Sequence, residues 1–324
     1  MSATQKDRMS DGKRYVYPSY FNAFACKKGE CHSSCCEAWE IDIDEEALAR
    51  YEAEAGEFGE RLRAGISREG TPHFVTKQDG RCPFLNKDGL CDLILERGEE
   101  MLCEICREHP RFYNALPDRI EVGLGLSCEA AAELILGTKE CVTLTGLNGI
   151  DTGDEILCLR DEAVVILQNR EASVDERLDA LFSRLGARRP TLDSDAWCDL
   201  LLSLETLDPA WTRLVAGLKE QRTERDRTAV DTYAAVREIE YEQLLVYFIY
   251  RYMANAFDES ESAEYAALAA FSYELIRALG TLLLFQNGKF DFEDLVALAR
   301  LYSAEIEYSD ENVERILDFL RPFL

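Results

Sequence analysis

Apolar residues in the second half of the chain recur at the spacing of an α-helix with one buried face. Such stripes run through residues 244–252, 268–282 and 313–320, and Ser309 or Asp310 stands before the last of them as a helix cap. No fixed-period repeat or low-complexity linker interrupts the pattern. The region from about residue 146 to residue 324 is therefore predicted to be almost entirely α-helical.

The first half of the chain has no comparable period. Asp44 is the predicted N-cap of a short helix that ends before Gly56. Residues 82–91 predict a small β-hairpin, because Asp88-Gly89 supplies a turn between apolar flanks. Residues 98–108 predict one further helix, which the proline at position 110 stops.

These patterns predict a mainly α fold with two regions. Residues 16–145 form an irregular, Cys-rich, metal-binding region with a small hairpin, and residues 146–324 form a helical bundle on which it packs. The boundary is soft, so one compact unit with a shared core stays an alternative.

The distribution of cysteines changes the picture from fold to chemistry. Ten of the 12 cysteines lie in the first 141 residues. The N-terminus has no apolar leader and no apolar run reaches about 18 residues, so we expect a cytoplasmic protein without membrane insertion. In a reducing compartment, clustered thiols point to metal or redox chemistry before disulfides.

The cysteine spacing is compatible with several inorganic centres: Cys26-x4-Cys31-x3-Cys35-Cys36, Cys82-x8-Cys91, Cys103-x2-Cys106 and Cys128. Thiolates suit tetrahedral zinc or a [4Fe–4S] cluster. A zinc ribbon would need a second CxxC pair, and Ala38 stands where a Cx3Cx2C triad needs its third cysteine. Nine thiols exceed one four-ligand site, so either more than one metal binds or several thiols have supporting or redox roles.

Charge and missing motifs exclude other classes of protein. The chain of 324 residues has 36 basic and 62 acidic residues, a net charge of −26. A surface for nucleic acid needs clustered Lys and Arg, so we expect no nucleic-acid partner. Phosphate-binding glycine loops and a nucleophile motif are absent from the sequence.

Several segments together resemble the flagellin lysine-N-methylase family. In the first half they are Phe24-Ala-Cys26, Cys31-x3-Cys35-Cys36-x2-Trp39, Cys82-Pro-Phe-Leu, Leu90-Cys91, Cys106-x3-Pro110-Arg111 and Leu126-Ser-Cys128. This half is also similar to a wider group of zinc- or iron-chelating domains. In the second half the segments are Tyr247-Phe-Ile-Tyr-Arg251-Tyr and Tyr302-Ser-Ala-Glu305-Ile-Glu307-Tyr-Ser309. The chain departs from the family at Glu129, where we expect Pro, and at Tyr308, where we expect His.

The resemblance implies methylation of flagellin lysines with S-adenosylmethionine as donor and a [4Fe–4S] cluster, with zinc as the alternative metal. Among the thiols, we expect the ligands first at Cys31, Cys35, Cys82 and Cys91, and next at Cys36, Cys106 and Cys128. Cys26 and Cys103 have supporting roles or bind a second ion. Arg111 is equally compatible with a structural role and with contact to an anion or substrate.

Methyl transfer requires a neutral lysine amine, and a lysine of pKa about 10.4 is neutral in about one molecule in 2,500 at pH 7. Glu305, Glu307 and Tyr308 are the candidate catalytic groups, and Arg251, with Arg111, is a candidate for cofactor binding. The alternative for each is an ordinary polar role on a helix. For the whole chain the alternative is a non-catalytic zinc- or iron-chelating or redox-responsive module.

Overall fold

The computed structural model describes residues 13–37, 39–147, 153–191, 196–221 and 237–324. Its described residues fall into two compact units. The helical unit lies within Met1–Phe24, Phe112–Ser127 and Ala131–Leu324, and the thiol unit consists of Ala25–Arg111 and Cys128–Ala130. The sequence analysis placed the boundary between the two regions at residues 145 and 146 on the basis of composition. The two units of the structure are instead defined by which residues lie close together in space.

The fold is mostly helical, as predicted, with small sheets near the N-terminus. The strands are β1 (Arg14–Pro18), β2 (Ile41–Asp42), β3 (Ile66–Ser67), β4 (His73–Phe74), β5 (Arg111–Ala115), β6 (Arg119–Leu124) and β7 (Leu144–Thr145). The helices are α1 (Glu45–Ala53), α2 (Gly56–Ala64), α3 (Asp92–Arg97), α4 (Glu104–Glu108), α5 (Glu129–Gly137), α6 (Glu155–Leu167), α7 (Val174–Arg184), α8 (Ala196–Ser203), α9 (Pro209–Gln221), α10 (Glu238–Tyr252), α11 (Glu259–Asn287), α12 (Phe292–Tyr302) and α13 (Asp310–Leu320).

Short elements connected by loops build the thiol unit. Strands β2, β4 and β3 form an antiparallel sheet in that order. Asp44 caps α1 as predicted, because its side chain accepts a hydrogen bond from the backbone N–H of Ala47. The predicted hairpin is confirmed by an antiparallel bridge between Leu85 and Cys91, and Gly89 supplies the positive φ of its turn.

The prediction of one helix over residues 98–108 is wrong. Gly98 has φ of +92° and separates α3 from a 3-10 turn at Glu99–Met101. Leu102 and Cys103 are extended before α4 begins. Residue propensities favour a helix in this segment. The backbone is extended at Leu102 and Cys103 instead, and Cys103 is the N-cap of α4.

A four-stranded sheet and a helical core build the helical unit. The strand order is β5-β6-β1-β7, with β1 parallel to β6 and antiparallel to β7. The sequence predicted no strand at the N-terminus, because a pairing across about a hundred residues leaves no local period. The three apolar stripes are confirmed as α10, α11 and α13, and Ser309 caps the last of these.

Helix α11 is long and apolar enough to cross a membrane by length and composition. In the structure, 67% of its most apolar window is buried within the protein. A buried core helix passes the same test, so the length of α11 is accounted for by its packing against α10, α12 and α13.

Candidate functional site

Five cysteines of the thiol unit are brought together by backbone contacts. The Cys82 N–H donates to the Cys36 carbonyl oxygen at 2.8 Å, and the Leu85 bridge holds Cys91 beside this pair. Cys103 caps α4, and Cys106 follows in the first turn of that helix. All five thiols contribute to the same apolar cluster, which also contains Trp39. We call these five cysteines, Cys36, Cys82, Cys91, Cys103 and Cys106, together with Cys35, which precedes Cys36 in the chain, the first thiol group.

Hydrogen bonds and burial keep most of these thiols protonated. The Cys35 side chain and burial together raise the pKa of Cys36, and the Cys103 side chain and burial raise that of Cys106. Burial raises the pKa of Cys82 to about 12. Conversely, the hydrogen bond from Cys106 lowers the pKa of Cys103. A cation that binds here must therefore displace protons from the thiols.

A second thiol group contains Cys26, Cys31 and Cys128. Burial raises the pKa of Cys31 to about 11, and the charges of Glu129, Cys128 and Cys26 add to this effect. The Glu129 carboxylate organises the loop, because it accepts hydrogen bonds from the backbone N–H groups of His32 and Ser33 at 2.8 and 3.3 Å. Glu129 also pairs with Lys27 at 3.1 Å.

The donors fit a thiolate-bound metal in type. Within the described ranges, however, no three Cys, His, Asp or Glu side chains stand in an arrangement that could hold a metal ion. Of the four thiols favoured from sequence, Cys35, Cys82 and Cys91 lie in the first group and Cys31 lies in the second. The role of each cysteine as a ligand stays a prediction.

Trp39 and His109 flank the first thiol group. The indole N–H of Trp39 donates to the Cys35 carbonyl at 2.8 Å, and its ring lies 6.4 Å from the His109 ring. Burial lowers the pKa of His109 to about 4, so the imidazole is neutral at pH 7. Arg111, two residues further on, is half-buried at the start of β5.

The two helical segments with the family resemblance meet inside the helical unit. The Glu307 carboxylate accepts hydrogen bonds from the Tyr247 hydroxyl at 2.9 and 3.1 Å and from the Tyr252 hydroxyl at 3.1 Å. Arg251 pairs with the same carboxylate, with 3.1 Å between Nε and Oε1. Glu307 ends a π-helical turn at Ser303–Glu307, and such turns are frequent at functional sites.

Aromatic rings enclose the Arg251 guanidinium. Its central carbon lies 4.8 Å from the centroid of the Phe112 ring, 5.5 Å from that of Tyr252 and 5.9 Å from that of Tyr308. Glu307 and Tyr247 are buried, whereas Tyr308 is 43% exposed. The cluster therefore has a buried polar floor and a partly open aromatic rim, and we call these six residues the Arg251 cluster.

Glu305 lies on the same π-helical turn but has a different set of contacts. Its two carboxylate oxygens accept hydrogen bonds from the backbone N–H groups of Leu207 and Asp208 at 2.9 and 2.7 Å. Burial raises its pKa despite these bonds. The carboxylate thus joins the π-helical turn to the loop before α9, and a catalytic role for Glu305 stays a prediction.

Comparison with known proteins identifies the region that contains this cluster. Residues 194–322 match the FliB lysine N-methylase C-terminal domain. The C-terminal part of the chain is similar to this family. The matched range includes five of the six residues of the Arg251 cluster, and Phe112 of β5 lies outside it.

Three curated proteins are distant relatives of this chain. The lysine-N-methylase of Salmonella typhimurium is 22% identical over 135 residues, which cover 40% of this chain and 34% of that protein. The flagellar biosynthetic protein FliU of Salmonella muenchen is 22% identical over 134 residues, 39% of this chain and 79% of that protein. The match thus spans about a third of the Salmonella typhimurium enzyme. No solved structure matches the chain.

Sequence reasoning missed two members of the cluster that lie within residues 194–322. Tyr247 and Tyr252 read as part of an apolar helical stripe, yet both hydroxyl groups donate to Glu307. The available signal was the density of hydroxylated aromatic residues in a stretch whose neighbours are aliphatic. Burial raises the pKa of both phenols, so they stay protonated and act as donors.

Proposed function

We propose that the protein is a lysine N-methyltransferase that moves a methyl group from S-adenosylmethionine to lysine side chains of flagellin. The observation that carries the proposal is the Arg251 cluster. There the two segments of the lysine N-methylase domain singled out from sequence meet around one buried carboxylate with an open aromatic rim. The lysine-N-methylase and flagellar names of the relatives support the reaction and the substrate class.

The reaction places clear demands on the site. The carbon–sulfur bond of the sulfonium breaks, the lysine nitrogen forms the new carbon–nitrogen bond, and the lysine loses a proton. Bringing a lysine pKa near 7 needs about 4–5 kcal/mol in favour of the neutral amine. The proposed catalytic groups are Glu305, Glu307 and Tyr308. Among them, only Tyr308 is largely exposed, so its ring is the part of the cluster that a substrate meets first.

The aromatic rim suits a cationic donor or substrate. Faces of Tyr and Phe attract ammonium and sulfonium groups within about 6 Å. Arg251 offers hydrogen-bond donors for an anionic group of the cofactor, and Arg111 is the second residue proposed for this role. Both assignments are proposals for a bound state.

We further propose that the thiol unit binds a [4Fe–4S] cluster, with zinc as the alternative. The first thiol group has enough donors for four ligands, which would come from Cys36, Cys82, Cys91 and Cys106, with Cys35 and Cys103 beside them. Cys31 and Cys128 of the second group complete the set expected from sequence. A bound cluster would supply electron-transfer or Lewis-acid chemistry and would fix the loops around it.

The proposed setting is the cytoplasm, where thiols stay reduced. The proposed partner is flagellin or a flagellin-like protein. The acidic character of the chain, with a net charge of −26, suits a lysine-bearing partner and disfavours nucleic acid.

The test is methyl transfer by the full chain purified without oxygen. Labelled S-adenosylmethionine and flagellin are mixed with wild type, Glu307→Gln, and the exposed control Glu162→Gln. We expect label on flagellin lysines, a loss of about a hundredfold in Glu307→Gln, and about four iron atoms per chain with acid-labile sulfide. An iron-replete wild type that transfers no label would overturn the methyltransferase proposal.

One observation favours a second candidate, a non-catalytic metal-binding or redox-responsive module. The thiols lie in a unit that is compact by itself, and such units often have only a structural role. Metal content with no methyl transfer to any lysine substrate would favour this reading.

A further inference from the structure

Three buried carboxylates in the helical unit are paired with arginines, and the site at Glu121 is closed to solvent. Arg160 and Arg119 saturate Glu121 through bonds of 2.7, 3.0 and 2.9 Å. The side chains of all three residues have no exposure to solvent. Glu242 is held by Arg170 and Arg177, at 2.8 Å each, and Arg170 is 36% exposed. In both sites arginine donors occupy the carboxylate oxygens, which stabilises the fold.

Glu307 differs from both of these carboxylates. It has one arginine and two tyrosines as donors, and its arginine is 14% exposed while the carboxylate is 1% exposed. These three donors already occupy both oxygens of the buried carboxylate. Its geometry suits holding Arg251 better than removing a proton from lysine.

The contacts of Arg251 leave one edge of the guanidinium open. Nε faces Glu307, and Nη1 donates to the Tyr247 hydroxyl at 3.0 Å. Among the described residues, no hydrogen bond from Nη2 is made. The planes of Phe112 and Tyr252 restrict the group further. A guanidinium fixed in this way loses little additional conformational entropy when it binds a carboxylate.

We propose that Tyr247, Tyr252 and Glu307 are positioning residues that hold Arg251 ready to bind the carboxylate of a small molecule beside Tyr308. The assignment rests on the proposed function, and it names the ligand part as the α-carboxylate of the sulfonium donor. The carboxylate would meet the open Arg251 edge, and the aromatic rim would face the neighbouring cationic sulfur. This reassigns Glu307 from a catalytic base to a positioning role.

Calorimetric binding to the full chain tests the assignment with three probes. These are S-adenosylmethionine, S-adenosylhomocysteine and 5′-methylthioadenosine, which lacks the amino-acid carboxylate. We expect wild type to bind S-adenosylhomocysteine at least about tenfold more tightly than methylthioadenosine. Arg251→Gln should weaken the binding of S-adenosylhomocysteine about tenfold to a hundredfold and leave the binding of methylthioadenosine unchanged. Tyr247→Phe and Tyr252→Phe should each weaken the binding of S-adenosylhomocysteine by a smaller factor and leave that of methylthioadenosine unchanged.

The controls separate folding from binding. Arg251→Lys keeps the charge without the planar fork and should recover part of the loss, and the exposed variant Arg184→Gln should match wild type. Thermal melting checks that each variant is folded. Equal binding of the two thioether probes, or equal weakening of both in Arg251→Gln, overturns this assignment and leaves the methyltransferase proposal intact. If wild type binds no adenosyl compound, the proposal that S-adenosylmethionine is the donor is contradicted, and so is this assignment of Arg251.

Discussion

The thiol unit and the helical unit achieve stability by different means. The longest helices of the thiol unit, α1 and α2, have nine residues each, and its apolar cluster includes cysteines where a larger core would have aliphatic side chains. The helical unit contains α11 with 29 residues, and residues from α10 to α13 fill an extended core. Small units with short elements usually need disulfides or metals, whereas a large core suffices by itself.

The same contrast applies to charged groups. In the helical unit, the buried carboxylates of Glu121, Glu242 and Glu307 are matched by arginines at fixed positions. In the thiol unit, burial raises the pKa of Cys82 and Cys91, so these thiols are neutral. The comparison teaches that the charges of one unit are balanced within the polypeptide, whereas the thiols of the other offer donors for the cation that we propose.

The largest expected effect is the loss of order in the thiol unit when the proposed metal is removed. A structural thiolate site contributes on the order of 10 kcal/mol to folding. Hydrogen exchange on full-length protein should show strong protection of residues 25–111 after anaerobic reconstitution and little protection in the metal-free form. Protection of residues 238–320 should be the same in both.

Single cysteine variants sharpen this prediction. Cys91→Ser of the first thiol group should reduce metal content and protection together, and the control Cys158→Ser on α6 should change neither. Cys31→Ser tests whether the second group contributes to the same centre. Equal protection of residues 25–111 with and without metal would contradict the contrast between the units.

The next effect concerns the closed ion pairs of the helical unit. Glu121→Gln leaves two fully buried arginines short of a counter-charge, and we expect the free energy of unfolding to fall by about 3–5 kcal/mol in urea denaturation. The control Glu162→Gln alters an exposed pair with Arg184 and should cost about 0–1 kcal/mol. Similar losses of unfolding free energy in the two variants would show that burial does not determine how much these ion pairs stabilise the protein.

The dependence of stability on acidic pH should also report the contribution of the Glu121 carboxylate. Burial alone would raise the pKa of Glu121, but the hydrogen bonds and charges of Arg160 and Arg119 outweigh burial and hold that pKa below its usual range. The stabilisation is therefore complete above the unfolded value of about 4.3, and it is lost as the pH falls through the lower folded pKa. Wild type should lose stability in this acidic window more steeply than Glu121→Gln. Parallel pH profiles would contradict this cause.

Local patterns in the sequence predicted the parts of the fold that depend on local contacts. Asp44 and Ser309 were found as caps, because a cap acts on residues within one turn. The turn at Asp88-Gly89 was found for the same reason. Strand β1 was missed, since its partner β6 lies far along the chain and neither strand alternates clearly. Gly98 interrupted a helix that residue propensities favoured.

The candidate site shows the same limit. Arg251 and Glu307 were named from sequence because they lie in the two helical segments that resemble the methylase family, and the structure brings them together. Tyr247 was missed, because a tyrosine in an apolar stripe looks like core until the partner of its hydroxyl is known. The division of the cysteines into two groups also depends on how distant loops fold back, which spacing along the chain does not reveal.

The smallest expected effect compares two aspartate caps, one in each unit. The Asp44 side chain accepts hydrogen bonds from the backbone N–H of Ala47 and, at 2.7 Å, from that of Glu104. Among the described residues, the Asp258 side chain accepts only the bond from the backbone N–H of Glu261, at 2.9 Å. Asp258→Ala should cost about 1 kcal/mol. Asp44→Ala should cost about 1–2 kcal/mol, because it loses the cap and the link between α1 and α4. Hydrogen exchange at residues 104–108 should rise in Asp44→Ala alone, and the rise should be larger in metal-free protein, where no bound metal supports Cys103 and Cys106. Unchanged exchange there would mean that the thiol unit is fixed by its apolar cluster more than by this link.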